Sequence, residues 1–332
     1  MPGLRTTDAA ALLESARGGD RVALARLLTI VERGGEACRA VVALAYAVPD
    51  VAYTVGITGS PGAGKSTLVD RLIGVARTRG LDGRGAGEVA VLAVDPTSPF
   101  SGGAILGDRV RMQGHATDEG VYIRSMATKG HLGGLALAVP DALRVLSASG
   151  MPLVLVETVG VGQQEVEVAA AADTTVVVVN PGWGDAIQAN KAGLLETADL
   201  FVINKADRPG ARETTRDLEL MLELSPPRDW RPPIISTVAQ NGDGTDELWA
   251  AIADHRRHLV ERGQLDVLRR RRLVRELRQI AAARVAARVD DAVAADGAAI
   301  VDAVAGGELD PYEAADRILD ELWTDGPPSD GP

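Results

Sequence analysis

The stretch GITGSPGAGKSTLVD, residues 56–70, decides how this sequence is interpreted. It contains the pattern GxxxxGKS from Gly59 to Ser66, which lies between the apolar run YTVGIT (53–58) and the start of a helical pattern. Glycines allow successive backbone N–H groups to surround a polyphosphate. The lysine then reaches the β- and γ-phosphates, and the serine hydroxyl is a ligand for Mg²⁺. The stretch therefore predicts a phosphate-binding loop between a strand and a helix.

We expect the whole loop to contact the nucleotide. Lys65 would also act in catalysis, and Ser66 would also bind the metal. The expected nucleotide contacts in this loop are Gly59, Ser60, Pro61, Gly62, Ala63, Gly64, Lys65, Ser66 and Thr67.

Further short apolar runs, rich in β-branched residues, alternate with helical patterns along the chain. Runs that are hydrophobic on both faces are typical of a parallel sheet with helices on each side. We therefore predict an α/β fold of the P-loop NTPase type, with a mostly parallel central sheet flanked by helices. The runs are VAVLAV (89–94), PLVLVE (152–157), TTVVVVN (174–180), LFVIN (200–204) and PIIST (233–237).

The two ends of the chain have a helical pattern without strand runs. Residues 8–48 show helical periodicity that is broken at the glycine pairs 18–19 and 34–35. A long apolar stripe follows from Leu273 to Val289, and Asp310 with Pro311 predicts the start of a last helix. The expected organisation is a helical extension (1–50), a P-loop domain (51–258), a helical arm for dimerisation (259–325) and a disordered tail (326–332).

Composition excludes several classes of function. The net charge of -11 is opposite to the basic excess of a general nucleic-acid binder. Cys38 is the only cysteine and there are four histidines, which counts against nickel or zinc delivery. The apolar runs are too short to cross a bilayer. We expect a soluble, cytoplasmic protein, and we expect the run Arg269 to Arg272 to form a solvated helix face or a dimer rim.

The tetrapeptide NKAD, from Asn204 to Asp207, predicts recognition of guanine. An aspartate at this place accepts hydrogen bonds from N1–H and from the exocyclic amino group of guanine, and adenine has no such pair of donors. GTP is therefore preferred over ATP. The later segment ISTVA (235–239) would direct backbone N–H groups at the guanine carbonyl, and the residues expected there are Ser236, Thr237 and Val238.

Acidic residues for a metal lie at the ends of other runs. Asp95 directly follows the run 89–94 and Asp108 lies in the loop after it, while Glu157 ends another run, with Gly160 three residues later. Since the carboxyl ends of parallel strands meet at one edge of the sheet, these groups converge on the nucleotide. We expect Asp95, Asp108 and Glu157 to bind Mg²⁺ with Ser66, and Gly160 to contact the γ-phosphate. Glu157 would also act in catalysis, because it would hold a magnesium-bound water.

Taken together, these motifs closely resemble the MeaB/ArgK/MMAA family of P-loop GTPases. The resemblance covers nearly the whole chain and includes SPFSGGAILGDRVRM (98–112) and TVGVGQ (158–163), which are specific to this family. It implies that Asn204, Lys205 and Asp207 recognise guanine. It also implies a further switch loop in PGWGDAIQANK (181–191), where Asp185 and Lys191 would transmit the nucleotide state to the partner or complete the catalytic centre.

The family resemblance also implies a function. Its members are chaperones of adenosylcobalamin-dependent acyl-CoA mutases, and methylmalonyl-CoA mutase is the first candidate for the partner. They convert GTP and water to GDP and phosphate slowly until the mutase binds, and they gate cofactor loading, protection and reactivation. The implied ligands are Mg²⁺ and GTP or GDP, while cobalamin is carried by the partner. The implied assembly is a homodimer formed through the carboxyl-terminal arm.

Two other functions are compatible with a phosphate loop. One is a P-loop kinase that phosphorylates a transport-related protein or a small molecule, which NKAD disfavours. The other is a scaffold that binds nucleotide only as a structural ligand.

Overall fold

The structure is a computed structural model that describes residues 6–83, 87–95, 113–115, 117–127, 135–158, 171–182, 197–295 and 297–324. The chain divides into two compact units, Met1–Leu273 and Val274–Pro332. The first unit holds the sheet, the phosphate loop and the NKAD tetrapeptide. The second unit is helical.

A seven-stranded sheet forms the centre of the first unit, in the order β3-β2-β4-β1-β5-β6-β7. All neighbouring strands are parallel, as predicted. β1 lies in the middle, where the chain order reverses, and this is the place at which open α/β sheets bind ligands. The strands are β1 (Tyr53–Gly59), β2 (Val89–Asp95), β3 (Val121–Ala127), β4 (Leu153–Thr158), β5 (Thr174–Val179), β6 (Leu200–Asn204) and β7 (Ile234–Thr237).

Helices cover both faces of the sheet, which confirms the predicted α/β architecture. One face packs on α1, α2, α3 and α5 over β2 to β4, and on α6 over β5 and β6. The other face packs on α4 and α7. The helices are α1 (Thr6–Arg17), α2 (Arg21–Arg33), α3 (Gly35–Tyr46), α4 (Lys65–Arg79), α5 (Leu135–Ala148), α6 (Ala211–Leu224), α7 (Thr245–Glu261), α8 (Gln264–Ala295), α9 (Gly297–Ala305) and α10 (Pro311–Thr324).

One strand has no counterpart among the predicted runs. β3 has the sequence VYIRSMA and lies at the edge of the sheet, paired only with β2. Its Arg124 is only part-buried and forms an ion pair of 2.7 Å with Glu32 of α2. Because an edge strand carries polar side chains, it lacks the continuous apolar run that marks the inner strands.

The amino-terminal helices are where the periodicity predicts them. α1 ends before the glycine pair 18–19, and α2 and α3 are separated at Gly34. Asp20 caps α2, because its carboxylate accepts hydrogen bonds from the Val22 and Ala23 amides.

The prediction for the arginine run 269–272 is wrong for two of its members. Arg269 and Arg272 are half-buried and reach Asp173, with distances of 2.8 and 2.9 Å between the nitrogen and the carboxylate oxygen. Arg270 and Arg271 are exposed, as a solvated helix face requires. Since α8 turns by about 100° per residue, positions three apart share one face, and here that face is directed at a buried carboxylate.

In the second unit, Asp310 Oδ1 accepts hydrogen bonds from the amides of Tyr312 and Glu313, so it caps α10 as predicted. Several apolar side chains of α8 are exposed in this structure, among them Val274 at 48% and Leu277 at 65%. Among the described residues, no helix combines the length and the apolar character that a membrane span needs.

Candidate active site

The loop between β1 and α4 depends on glycine for its path. Gly59 has a φ of 133°, and a Cβ atom there would lie 1.9 Å from the Val178 carbonyl oxygen of β5. Gly64, directly before α4, has a φ of 90°, and its Cβ would lie 2.5 Å from Asn204 Nδ2. Only glycine fits both the backbone angles and the space. The loop therefore lies tightly against two other segments of the sheet edge.

Lys65 is the first residue of α4, and its side chain is buried in the loop. Its ammonium donates hydrogen bonds to the carbonyl oxygens of Gly59 (2.7 Å) and Ser60 (3.1 Å). The charge is thus held at the amino terminus of a helix, where backbone N–H groups also favour an anion.

Ser66 and Glu157 are in direct contact. The Ser66 hydroxyl donates a 2.6 Å hydrogen bond to Glu157 Oε1, and both residues are buried. The contact arises from the register of the sheet, since Ile57 of β1 lies opposite Glu157 of β4. A hydroxyl and a carboxylate are the hard oxygen ligands that Mg²⁺ prefers, so these two residues fit the predicted metal site.

Asn204, at the end of β6, joins three segments of the site. Its Nδ2 donates to the carbonyl oxygen of Ala63 in the phosphate loop (2.7 Å). Its Oδ1 accepts from the Thr237 hydroxyl (3.1 Å) and from the Ala239 amide (3.0 Å) in the segment after β7. The buried Asn204 amide thereby fixes the loop expected to bind the base relative to the loop expected to bind phosphate.

Lys205 and Asp207 follow Asn204 at the mouth of the site. Lys205 has a φ of 60°, in the left-handed region, and its ammonium donates a 2.6 Å hydrogen bond to the Gly62 carbonyl oxygen. The Asp207 side chain is exposed and lines a cavity at the carboxyl edge of the sheet. A carboxylate in this position can accept hydrogen bonds from a base.

These groups surround a cavity of about 510 Å³ at the carboxyl edge of the sheet. Of the residues predicted near guanine, Ser236 and Thr237 do not line it, and Thr237 instead bonds to Asn204. Arg208 and Gln240 line it without having been predicted, and Ala239, the last residue of the predicted segment 235–239, lines it as well. The lining consists of Pro61, Gly62, Gly64, Lys65, Ser66, Thr67, Glu157, Asn204, Lys205, Asp207, Arg208, Val238, Ala239 and Gln240.

Several predicted site residues lie outside the described part of the chain. They are Asp108, Gly160, Asp185 and Lys191. For Asp95 the structure describes the backbone, which ends β2 beside the end of β4, but not the carboxylate. The roles of these five residues stay predictions.

Strongly shifted pKa values are found at the opposite edge of the sheet, where the strands begin. Burial raises the pKa of the Asp199 carboxyl to about 7. Burial, and then the charge of His258, lowers the pKa of His255 to about 4. His255 Nδ1 lies 2.9 Å from the hydroxyl of Thr174, the first residue of β5. This cluster belongs to the packing of α7 on the sheet and not to the candidate site.

Comparison with known proteins agrees with this geometry. The sequence model described as "Methylmalonyl Co-A mutase-associated GTPase MeaB" matches residues 24–294. The chain belongs to the MeaB family. It is accordingly a GTPase, which converts GTP and water to GDP and phosphate. The predicted family resemblance is thereby confirmed.

Two relatives of this MeaB-family chain are named as GTPases, and one solved structure shares the fold. A Pyrococcus abyssi GTPase is 49% identical over 316 residues, which cover 94% of this chain and 96% of the relative. The Escherichia coli GTPase ArgK is 38% identical over 274 residues, covering 79% of this chain and 80% of ArgK. The crystal structure of an LAO/AO transport system kinase matches with a TM-score of 0.72 at 26% identity, covering 96% of this chain and 99% of that chain.

Proposed function

We propose that this GTPase is a chaperone of an adenosylcobalamin-dependent acyl-CoA mutase, with methylmalonyl-CoA mutase as the first candidate client. In this proposal, GTP binding and hydrolysis gate the loading, protection and reactivation of the cobalamin cofactor on the client. The family description names a GTPase associated with that mutase, and this description supports the choice of client.

The observation that carries the nucleotide part of the proposal is the pair of hydrogen bonds that Asn204 makes to two different loops. Its buried amide binds both Ala63 of the phosphate loop and Ala239 of the loop between β7 and α7 (residues 238–244), the base-side loop. A ligand in the cavity would therefore meet the phosphate-binding lysine and the exposed Asp207 carboxylate at a fixed spacing. This arrangement favours a guanine nucleoside triphosphate over a ligand that carries phosphate alone.

We propose that Mg²⁺ is held by Ser66 and Glu157, with Asp95 and Asp108 completing the set. When bound, the metal ion neutralises charge that develops on the phosphate oxygens. Lys65 would bind the β- and γ-phosphates from the amino terminus of α4. Gly160, Asp185 and Lys191 are proposed, from sequence alone, to respond to the γ-phosphate and to complete the catalytic centre.

A low basal rate follows from the same assignment. Hydrolysis needs a group that orients the attacking water, and no described residue of the cavity is an evident strong base for it. We propose that the client mutase assembles the competent geometry, which would couple nucleotide state to the shape presented to the client.

We also propose that the chain forms a homodimer through its carboxyl-terminal arm. Leu273, Val274, Leu277 and Val285 of α8 are exposed, with Leu277 at 65%. Apolar side chains repeated along a helix usually pack against a partner. Sedimentation velocity tests this point, because Leu277→Glu should shift a dimer towards monomer, and a wild-type chain that sediments only as a monomer would contradict it.

The decisive experiment is co-purification with candidate mutases, followed by GTP turnover with and without each one. The expected result is a several-fold stimulation by a single mutase, together with GTP-dependent loading of adenosylcobalamin on that mutase. Lys65→Ala should abolish both effects. If Lys65→Ala weakened nucleotide binding but left loading intact, the nucleotide would be only a structural ligand.

Labelled GTP distinguishes hydrolysis from phosphoryl transfer in the same samples. Phosphate released to water supports the proposal. Label found on a protein or a small-molecule acceptor would favour a kinase.

A further inference from the structure

Arg71 connects the helix that carries the phosphate-binding residues with the base-side loop. It lies on α4, which begins with Lys65 and Ser66. Its Nε donates a 3.0 Å hydrogen bond to the Ala239 carbonyl oxygen, and its Nη2 donates a 2.6 Å hydrogen bond to the Gln240 carbonyl oxygen. The guanidinium thus holds two consecutive carbonyl groups of one loop, in the fork geometry that only arginine offers.

Hydrogen bonds fix both the peptide between Ala239 and Gln240 and the peptide that precedes it. The Ala239 amide donates to Asn204 Oδ1 at 3.0 Å, while the Ala239 carbonyl accepts from Arg71. Among the described residues all peptide bonds are trans, so the Gln240 N–H is directed opposite to the Ala239 carbonyl. This N–H therefore points away from the Arg71 guanidinium. Both Ala239 and Gln240 line the nucleotide cavity, and Arg71 does not.

The direction of this N–H matters because of the chemistry of the bases. Guanine has an acceptor, O6, at the position where adenine has an amino group that donates. A fixed N–H donor therefore favours guanine, whereas the amino group of adenine would face another donor. A peptide that could turn over would present its carbonyl instead and would lose this discrimination.

We propose that Arg71 is a positioning residue for base specificity, which orients the Gln240 N–H towards the guanine O6. The inference rests on the proposed binding of a guanine nucleotide in this cavity. It adds a second determinant to Asp207, because Asp207 would read N1–H and the exocyclic amino group, whereas the peptide held by Arg71 would read O6.

The test compares the affinities of GDP, IDP and ADP, measured by titration calorimetry with Mg²⁺ on the full chain. IDP keeps O6 and N1–H and lacks only the exocyclic amino group, so it removes one of the two contacts assigned to Asp207 and leaves the contact assigned to the peptide held by Arg71. Arg71→Ala should weaken GDP and IDP about tenfold each while changing ADP less than about twofold, as expected when a charge-assisted contact fixes a donor. Arg71→Lys, which keeps the charge but not the fork, should show part of this loss and serves if Arg71→Ala does not fold.

Arg79 provides the matched control, since it lies on the same helix and pairs at 2.8 Å with the exposed Asp246 of α7. Arg79→Ala should leave all three affinities unchanged. If the Arg71 variants bound GDP, IDP and ADP more weakly by the same factor, or kept the same preference for GDP, the role of Arg71 would be overturned and the proposed guanine site would stand. A wild-type chain with no preference for GDP over ADP would overturn the proposed guanine site, before any variant is considered.

Discussion

The Ser66 hydroxyl donates a 2.6 Å hydrogen bond to Glu157 Oε1, and both side chains are buried. This contact joins the first turn of α4 to the end of β4, two elements that the sequence separates by 91 residues. The serine of the phosphate loop and the acid of a different strand thus lie side by side at the proposed metal site.

Ser66→Ala should impair binding of the metal-loaded nucleotide. We expect affinity for GTP with Mg²⁺ to fall at least about tenfold and turnover about a hundredfold, because a metal ligand is lost. Binding of nucleotide without Mg²⁺ should change much less. Titration calorimetry with Mg²⁺ and with a chelator measures the difference.

Ser149→Ala is the matched control, because Ser149, directly after α5, is also buried and its hydroxyl donates a 2.8 Å hydrogen bond to the Val145 carbonyl oxygen of α5, away from the candidate site. Ser149→Ala should leave the Mg²⁺ dependence of GTP affinity unchanged. Equal losses for Ser66→Ala with and without Mg²⁺ would argue against the metal role.

Asp207→Asn should exchange the base that is recognised. The carboxylate accepts two hydrogen bonds from guanine, whereas an amide presents one donor and one acceptor. Affinity for GTP should therefore fall by about a hundredfold, and affinity for XTP, which has a carbonyl at position 2, should rise. Competition binding with both nucleotides tests this exchange. Asp217→Asn, at an exposed position of α6, should bind GTP as the wild type does. A variant of Asp207 that still prefers GTP would remove it from the base site.

Replacing Gly59 and replacing Gly74 by alanine should change the free energy of unfolding in opposite directions. The Cβ of Gly59→Ala would lie 1.9 Å from the Val178 carbonyl oxygen, so backbone must shift, and we expect a loss of more than about 3 kcal/mol. Gly74 lies inside α4, and its Cβ would meet nothing within 4 Å. Gly74→Ala should stabilise the fold by about 0.5–1 kcal/mol. Urea unfolding of both variants measures the two signs, and a neutral Gly59→Ala would contradict the close approach of β1 and β5.

Asp173 should stabilise the fold in a pH-dependent manner. Burial opposes ionisation of its carboxyl, but the hydrogen bond from Arg269 and the charge of Arg272 outweigh burial and hold its pKa below the ordinary value. A depressed pKa in the folded state contributes stability above the unfolded pKa, near 4, and this contribution is lost as the pH falls through the folded pKa. Asp173→Asn should therefore cost about 3 kcal/mol at pH 7.

The difference in unfolding free energy between the wild type and Asp173→Asn should stay constant from pH 7 to about 5 and shrink below about 4. Asp254→Asn breaks an exposed pair with Arg257 and should have only a small effect. A difference that did not depend on pH down to 3 would show that Asp173 acts by packing and not by its charge.

Much of the fold could be predicted because the inner strands are continuous apolar runs. β1, β4, β5 and β6 are buried along their whole length, so their patterns were readable from the sequence. β3 was not predicted, since its position at the sheet edge permits polar residues such as Arg124. Arg269 and Arg272 are half-buried because they pair with Asp173, which is about a hundred residues away in sequence. Local charge patterns do not reveal such a partner.

The residues of the candidate site likewise include some that the sequence predicts and some that it does not. The phosphate loop and NKAD are continuous in sequence, and the structure brings Lys65, Asn204, Lys205 and Asp207 to one cavity. The part after β7 is set by the turn that follows the strand, where Val238 accepts hydrogen bonds from Asn241 and Gly242. As a result, Ala239 and Gln240 line the cavity in place of Ser236 and Thr237, and no local pattern marks Gln240.

The central claim is that the edge of the sheet binds GTP complexed with Mg²⁺, and titration calorimetry of GTP into the folded full-length chain tests it most directly. We predict saturable binding with one nucleotide per chain, much weaker binding of ATP, and loss of GTP binding in Lys65→Ala. A well-folded chain that released or absorbed no heat with GTP and Mg²⁺, or that bound ATP equally well, would contradict the account.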